Sequence, residues 1–164
     1  MQKKNRRILS EAANLKKIPS EMFHAEPLEN DIYTWHFTLK GCRDSPYEGG
    51  LYHGEISLPD DYPMRGPDII FHTPNGRFTT HKAICLDNTN YHPESWSPLW
   101  KVRNILESLD MFFLQDEAGI GAVVRTVEER KNLAKKSLEF VCPECGPITN
   151  HLEKIAEAVE GAHK

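Results

Sequence analysis

The sequence predicts a single α+β domain, and three observations support this prediction. An amphipathic segment comes first, segments that alternate apolar and polar residues follow it, and wide apolar stripes at helical spacing come last. The chain has 164 residues, the usual size of one domain. The sequence contains neither an internal repeat nor a linker long enough to divide it. We therefore expect a helix, three or four strands, a long loop and further helices around one core.

The first part of the chain reads as a helix followed by a meander of strands. Residues 6–17 place Ile8, Ala12 and Leu15 on one helical face, and Pro19 ends the run. Strands are predicted at residues 33–40, 51–58 and 68–72, the first of them with the alternation of a half-buried strand. Turns and loops separate the strands, which favours antiparallel pairing.

The second part of the chain is predicted to be mainly helical. Its widest apolar stripe falls at helical spacing and indicates the central core helix. Its members are Val102, Ile105, Leu106, Leu109, Phe112 and Phe113. Thr126 and Glu129 form a capping box that opens another helix, expected to run to about Leu138. Residues 150–159 predict a last helix, with Leu152, Ile155 and Val159 on one face.

Composition and charge indicate an ordinary soluble protein. The net charge of −4 gives no reason to expect nucleic acid, and no apolar run approaches the roughly 20 residues that cross a bilayer. The first 17 residues are too polar for a secretory signal, and they carry six basic residues against one acidic residue. This basic surface suits an acidic protein partner, or it is a solvated helix face. We expect a cytoplasmic protein whose four cysteines are reduced.

A long loop between residues 73 and 98 carries the candidate nucleophile. Loops of this length inside a domain are uncommon unless they are functional. Cys85 has apolar neighbours, which by themselves are typical of a buried structural cysteine. However, the turn at Pro74-Asn75-Gly76 and the aromatic residues on both sides favour a loop of fixed shape. Cys85 is therefore a candidate for a reactive thiol.

The loop resembles the active-site region of ubiquitin-conjugating enzymes. The shared features are the Pro-Asn turn, Ile84-Cys85-Leu86-Asp87, and Trp96-Ser97-Pro98. Residues 49–53 and 58–67 resemble the second strand and the proline-rich loop of that family, and the likeness extends over residues 5–115. The resemblance implies the ubiquitin-conjugating fold, an α+β fold with an N-terminal helix, a four-stranded antiparallel meander sheet, a long active-site loop, a central core helix and C-terminal helices.

A finer resemblance is to the subgroup that is tail-anchored in the endoplasmic reticulum membrane. It rests on residues 35–38, 75–78 and 92–96, and on residues 133–137 before a Cys-x-x-Cys. The resemblance implies a catalytic domain at residues 5–140 and a partly helical extension at 141–164. It implies an enzyme without a cofactor that works in endoplasmic-reticulum-associated degradation. The location would be the cytoplasm, or the cytosolic face of that membrane if the protein has an anchor; the residues present are expected to make no membrane contact.

The resemblance and the chemistry together assign roles to the loop residues. Cys85 would carry ubiquitin as a thioester and pass it to lysine or hydroxyl side chains. Asn75 would stabilise the oxyanion of the transfer step, or it would bond the backbone and shape the loop. Asp87 would orient or deprotonate the nucleophile, or be a solvated carboxylate, and His92 would be a base or a structural hydrogen-bonding group.

Partner contacts follow from the resemblance alone. Arg6 and Arg7 would meet the ubiquitin-activating enzyme. Met64 would enter the groove of a RING-type ligase, and a second contact loop would comprise Ser97, Pro98 and Leu99. Physically, an exposed methionine between two prolines is a plausible adaptable anchor, or else it packs against the edge of the sheet.

The sequence also allows two other functions and contains one further motif. A noncatalytic ubiquitin-binding variant would lack the nucleophile, and a Cys85–His92 hydrolase would place its thiol at the start of a helix. Cys142 and Cys145 resemble half of a zinc knuckle, with only His151 as an obvious third ligand nearby. The expectation from sequence is therefore two free thiols and no metal.

Overall fold

Four consecutive strands form one antiparallel sheet in the order β1-β2-β3-β4, as predicted. The computed structural model describes residues 3–84, 95–115 and 122–156. The elements are α1 (Lys3–Lys17), β1 (Phe23–Leu28), β2 (Asp31–Lys40), β3 (Leu51–Ser57), β4 (Asp68–Phe71), α2 (Val102–Leu114), α3 (Val127–Ser137), β5 (Val141–Cys142), β6 (Gly146–Pro147) and a 3-10 helix (Ile148–Lys154). The α+β class, the N-terminal helix, the meander and the central helix are confirmed.

One face of the sheet builds the main core against α1 and α2. Alternate residues of the strands point to this face, and all of the following are buried: Trp35, Phe37, Leu39, Tyr52, Ile56, Ile69 and Phe71. Phe113 of α2 contacts Phe71 edge-on with ring centroids 5.5 Å apart. The predicted stripes of both helices face this layer, with Ile8 and Leu109 fully buried. Apolar periodicity therefore predicted the main core correctly.

The opposite face of the sheet is buried too, which corrects the prediction of a half-buried strand. Thr38 and His53 on this face are both 0% exposed. The chain after α3 covers them, since the Phe140 ring lies 6.0 Å from that of His53 and the Ala156 N–H donates to the Ser20 carbonyl (2.8 Å). Sequence alternation cannot reveal a second covering layer that is supplied by a distant segment.

The helix ends show one success and one error of the sequence prediction. The Thr126 hydroxyl accepts the Glu129 N–H (3.1 Å), and the Glu129 carboxylate accepts the Thr126 N–H, which confirms the capping box. The last helix, predicted at 150–159, begins earlier and is a 3-10 helix over Ile148–Lys154, so Ile155 lies outside it. Its buried residues are three apart, Ile148 and His151, a spacing that a 3-10 helix aligns. Residues 157–159 lie outside the described part.

Within residues 3–84, 95–115 and 122–156, every helix is too short or too polar to cross a bilayer.

Candidate functional site

The segment that leads to Cys85 is fixed to the sheet at both ends. Thr73 is buried at its start, where the Thr73 N–H donates to the His53 carbonyl (3.1 Å) and the Thr73 hydroxyl accepts the His53 N–H (3.0 Å). At the other end Ile84 is fully buried and donates its N–H to the Ile69 carbonyl (3.0 Å). Strands β3 and β4 therefore hold the chain up to the residue before Cys85.

The Asn75 side chain holds the turn within this segment. Its Oδ1 accepts the N–H groups of Arg77 (2.8 Å) and Phe78 (2.7 Å), and its Nδ2 donates to the Thr73 carbonyl (3.0 Å). Asn75 is buried, and Gly76 beside it has φ +84°, a backbone conformation that favours glycine. Three contacts thus give Asn75 the loop-shaping role. Oxyanion stabilisation would use the second amide hydrogen and stays a prediction.

Arg77 joins the turn to the end of the central helix. Its guanidinium Nε donates to the carbonyls of Phe112 (3.0 Å) and Gln115 (2.9 Å), at the C-terminus of α2. A cation is favourable there because the final carbonyls of a helix carry partial negative charge. The Arg77 carbonyl accepts the Val123 N–H (3.0 Å). Sheet, central helix and the chain before α3 therefore all support the Asn75 turn.

Three of the predicted catalytic residues, Cys85, Asp87 and His92, lie outside the described residues. The structure therefore fixes the residues before the predicted nucleophile, and the roles of these three side chains stay predictions. On the far side, the described chain resumes at Ser95.

The residues predicted to meet a ligase expose apolar surface on two loops. The Met64 side chain is 68% exposed and Leu99 is 85% exposed, large values for apolar residues. The two loops are joined, because the Trp96 indole N–H donates to the Pro63 carbonyl (2.7 Å). The other two predicted contacts lie beside Leu99: Pro98 is exposed and Ser97 is half-buried. Met64 therefore does not pack against the sheet edge, which was its alternative role.

The two predicted arginines differ in what they offer to a partner. Arg6 is exposed on α1, whereas Arg7 is half-buried and engaged within the molecule. The Arg7 guanidinium donates to the Glu11 carboxylate (2.7 Å) and to the Trp100 carbonyl (2.8 Å), and it lies 5.6 Å from the centroid of the Tyr62 ring. Arg7 therefore fastens α1 to the loop before α2, while Arg6 faces outward.

Glu11 is the residue that joins these elements, and sequence reasoning did not identify it. Its carboxylate is buried and accepts three hydrogen bonds, from Arg7 (2.7 Å), the Tyr62 hydroxyl (2.7 Å) and the Val102 N–H (2.8 Å). Burial and the nearby Glu11 charge raise the pKa of Tyr62, so this hydroxyl stays a donor. The Val102 N–H opens α2, where a carboxylate is favoured by the helix dipole. One carboxylate thus connects α1, the Met64 loop and α2.

The Cys-x-x-Cys pair lies against the outer face of the sheet, which is the face opposite the main core. Its sulfur atoms contact a histidine other than His151. Cys142 is in β5 and Cys145 in the turn that leads to β6, and both sulfur atoms lie 3.5 Å from His36 Nδ1. His53 Nε2 lies 3.2 Å from the same nitrogen. His151, the third ligand suggested by the sequence, instead has its Nδ1 2.6 Å from the Thr38 hydroxyl. The sequence had shown His36 only as part of a family resemblance.

Burial sets the protonation of this cluster. It lowers the pKa of His53 to about 3 and that of His151 to about 4, so both imidazoles are neutral near pH 7. Burial and the neighbouring Cys142 raise the pKa of Cys145. Burial also lowers the pKa of His36 below its ordinary value. The sequence contains one indication of this cluster, because His36 and His53 both lie in predicted strands.

Comparison with known proteins gives consistent matches along most of the chain. A family model described as "Ubiquitin-conjugating enzyme" matches residues 7–138. Ubiquitin-conjugating enzyme E2 J1 of Homo sapiens is 47% identical over 142 residues, which cover 86% of this chain and 44% of that protein. Ubiquitin-conjugating enzyme E2 34 of Arabidopsis thaliana is 44% identical over 137 residues, which cover 84% of this chain and 58% of that protein. The chain thus spans about half the length of these curated relatives.

Solved structures share the architecture. Human ubiquitin-conjugating enzyme E2 G1 is 28% identical with a TM-score of 0.62, over 69% of this chain and 96% of that one. The E2 domain of a Toxoplasma gondii ubiquitin-conjugating enzyme is 24% identical with a TM-score of 0.66, over 80% of this chain and 97% of that one. The second match shows a common fold only.

Proposed function

We propose, because this chain belongs to the ubiquitin-conjugating enzyme family, that it accepts ubiquitin from the activating enzyme as a thioester on Cys85. With a RING-type ligase it then transfers ubiquitin to a substrate side chain. The observation that carries the proposal is the construction of the segment before Cys85. Buried Asn75 fixes its turn with three hydrogen bonds, and buried Ile84 ties its end to β4. A thiol that follows a segment held in this way is presented from a rigid frame.

Two acyl transfers make up the proposed reaction. In the first, the Cys85 sulfur attacks the thioester carbonyl on the activating enzyme, and that enzyme's thiol leaves with a proton. In the second, an amine or hydroxyl attacks the carbonyl on Cys85, the carbon–sulfur bond breaks, and Cys85 is released. The activating enzyme consumes the ATP that makes ubiquitin reactive. Such a carrier needs a reactive sulfur with a pKa near ambient pH, because it must be both a nucleophile and a leaving group.

The loop residues have distinct proposed tasks in the second transfer. Asn75 positions the loop and directs its remaining amide hydrogen toward the oxyanion, a contact typically worth about 10²- to 10³-fold in rate. Asp87 orients or deprotonates the attacking nucleophile, and its charge disfavours the Cys85 thiolate. His92 has the weakest support as a base.

The exposed loop residues form the proposed partner surface. Met64 and Leu99 provide two apolar side chains on joined loops, as expected of anchors that enter a hydrophobic groove. Arg6 on α1 offers a positive charge toward the activating enzyme. Arg7 contributes by holding α1 in place, since its guanidinium is used within the molecule.

The proposed acceptor is lysine, with hydroxyl side chains as the second class. The finer resemblance favours hydroxyl acceptors, whereas Asp87 stands where its relatives often have serine. A carboxylate attracts and orients an ammonium group better than a hydroxyl. The same resemblance places the proposed role in endoplasmic-reticulum-associated degradation, on the cytosolic side.

A charging assay tests the carrier role. The chain is incubated with activating enzyme, ubiquitin and ATP, and the products are separated with and without reductant. We expect a reductant-sensitive band one ubiquitin heavier, present in wild type and in Cys42→Ala but lost in Cys85→Ala. Cys42 is the matched control because it is a free, half-buried cysteine outside the loop that carries Cys85. Folded protein that forms no such adduct would refute the carrier role and favour a noncatalytic ubiquitin-binding module.

Discharge of the purified thioester then identifies the acceptor. The adduct is mixed with free lysine, serine or threonine, and the loss of ubiquitin from Cys85 is followed in time. We expect lysine to be fastest and Asp87→Ser to shift the ratio of rates toward serine. Unchanged ratios in Asp87→Ser would remove Asp87 from acceptor selection.

A further inference from the structure

The fold brings four potential metal ligands together from three separate parts of the chain. His36 is on β2, His53 is on the neighbouring strand β3, and Cys142 and Cys145 belong to the small β5–β6 hairpin. His53 pairs with Thr38 across the two strands, and His36, which pairs with Glu55, is two positions before Thr38 on β2. Paired residues and residues two positions apart point to the same face of a sheet, so both imidazoles lie on one face. The hairpin lies over that face, and one nitrogen or sulfur atom from each of the four residues lies within 4.8 Å of the others.

Three of the six distances among these atoms match those of a tetrahedral metal shell. Zinc–sulfur bonds of about 2.3 Å and zinc–nitrogen bonds of about 2.0–2.1 Å put sulfur and nitrogen ligands roughly 3.6 Å apart and two nitrogens roughly 3.3 Å apart. Here His36 Nδ1 is 3.5 Å from each sulfur and 3.2 Å from His53 Nε2. The other three pairs of ligand atoms lie within 4.8 Å of one another, so the two sulfur atoms and His53 Nε2 would move closer together around one ion.

The other three groups of this cluster converge on one nitrogen atom. Three polar atoms converge on His36 Nδ1, which has either one lone pair or one hydrogen and so makes one good hydrogen bond. His36, His53 and Cys142 are buried, where unsatisfied polar groups are costly. A cation at the centre would bind all four atoms at once.

A second layer of contacts orients the His53 ligand. His53 Nδ1 lies 2.9 Å from the Thr38 hydroxyl, and the same hydroxyl lies 2.6 Å from His151 Nδ1. With Nδ1 protonated, His53 donates to Thr38, and Thr38 donates to His151. This leaves the His53 Nε2 lone pair directed at the cluster, an arrangement common for histidines that bind metals.

We propose that His36 Nδ1, His53 Nε2, Cys142 Sγ and Cys145 Sγ bind a structural zinc ion that fastens the chain after α3 to the outer face of the sheet. Two nitrogen and two sulfur ligands suit zinc, and four protein ligands leave no open position for catalysis. Binding releases two thiol protons to solvent, and the two thiolates neutralise the ion. Glu144 Oε2 lies 3.4 Å from Cys142 Sγ. Because Glu144 is exposed, its carboxylate can rotate away into solvent when that sulfur becomes negative.

The zinc content of the purified chain is the primary test. Protein folded with zinc sulfate and freed of loose metal by gel filtration is expected to hold about one zinc ion per chain by mass spectrometry. The Cys142→Ser and Cys145→Ser double variant is expected to hold at least tenfold less, and Cys42→Ser is expected to match wild type. A zinc content near zero in folded wild type, or an undiminished content in a folded double variant, would overturn the proposal.

A second measurement on wild type covers the case in which the double variant does not fold. The thiols are alkylated before and after treatment with a chelator, and the labelled cysteines are identified by peptide mass spectrometry. Protection of Cys142 and Cys145 that the chelator removes supports the site, with Cys42 as the internal reference. Cobalt added in place of zinc should give the visible absorption of a tetrahedral thiolate complex. A Cys142–Cys145 disulfide under reducing conditions, or thiols equally reactive with and without chelator, would contradict the zinc proposal. Neither measurement depends on the charging assay, so the two proposals fail separately.

Discussion

Replacing Glu11 with alanine removes the carboxylate that three separate elements share. The Glu11 side chain is only 4% exposed, so water does not take over its contacts in the native protein. The substitution leaves the Tyr62 hydroxyl and the Val102 N–H without their acceptor, and it leaves the Arg7 guanidinium without its counter-charge. All three groups lie at the junction of α1, the Met64 loop and α2.

The expected cost can be estimated from these contacts. Hydrogen bonds to a charged group contribute about 1.5–3 kcal/mol each, but removing the carboxylate also removes its own desolvation cost. Breaking a buried ion pair by deleting one partner typically costs about 3–5 kcal/mol. We therefore expect Glu11→Ala to lower the free energy of unfolding by about 4 kcal/mol, a large part of the roughly 5–15 kcal/mol of a typical domain. Glu11→Gln keeps an acceptor oxygen, so it should cost roughly half as much.

Urea unfolding at neutral pH, followed by tryptophan fluorescence with zinc in the buffer, measures this cost. With a slope of about 2 kcal/mol per molar urea, a loss of about 4 kcal/mol lowers the midpoint by roughly 2 M. The matched control is Glu107→Ala, since Glu107 is exposed on α2 and its loss should change stability by less than about 0.5 kcal/mol. A Glu11→Ala midpoint equal to that of the control would refute the view that this carboxylate joins the three elements.

Three further predictions concern other contacts of the described residues. Thr38→Val removes the hydroxyl beside His53 and should weaken zinc binding about 10- to 100-fold in a chelator competition, whereas Thr38→Ser should retain it. Burial raises the pKa of Asp110 in the folded protein above its ordinary 3.8. The stability that this raised pKa contributes is therefore fully present below pH 3.8 and is lost as the pH rises through the pKa of the folded protein. Asp110→Asn should therefore be more stable than wild type near pH 8, and a urea midpoint advantage that persists below pH 3.8 would contradict this. Thr126→Ala breaks the capping box with Glu129 and should cost about 1 kcal/mol in thermal unfolding without changing the charging of Cys85.

Local patterns in the sequence predicted the parts of the fold that local physics decides. The apolar stripe of α2 follows the helical period because one side of that helix faces the main core. The Thr126–Glu129 box is a contact between residues three apart, so its residue types identify it directly. The Asn75 turn was also visible, because Asn and Gly at adjacent positions favour such a turn.

The features that sequence reasoning missed depend on residues far apart in the chain. Cys142 and Cys145 meet a histidine more than one hundred positions earlier, and Glu11 meets Val102 91 positions later. Neither contact has a periodicity or a short motif. Proximity in sequence suggests His151 as the third zinc ligand, whereas in the fold its Nδ1 contacts the Thr38 hydroxyl behind His53. A Cys-x-x-Cys pair with too few neighbouring ligands is therefore a reason to consider histidines in distant strands.

His53 connects the proposed zinc site to the segment that leads to Cys85. Its imidazole faces the sulfur atoms, while its backbone N–H and carbonyl both bond Thr73, and the Thr73 carbonyl accepts the Asn75 amide. The position of His53 on β3 therefore affects both the proposed zinc site and the segment that leads to Cys85. However, β2 also fixes that position, because His53 pairs with Thr38 in the sheet. The proposed metal would thus reinforce a strand that the sheet already orders, so its main consequence would be to hold the chain after α3, while the proposed ubiquitin transfer would rely on the Asn75 turn.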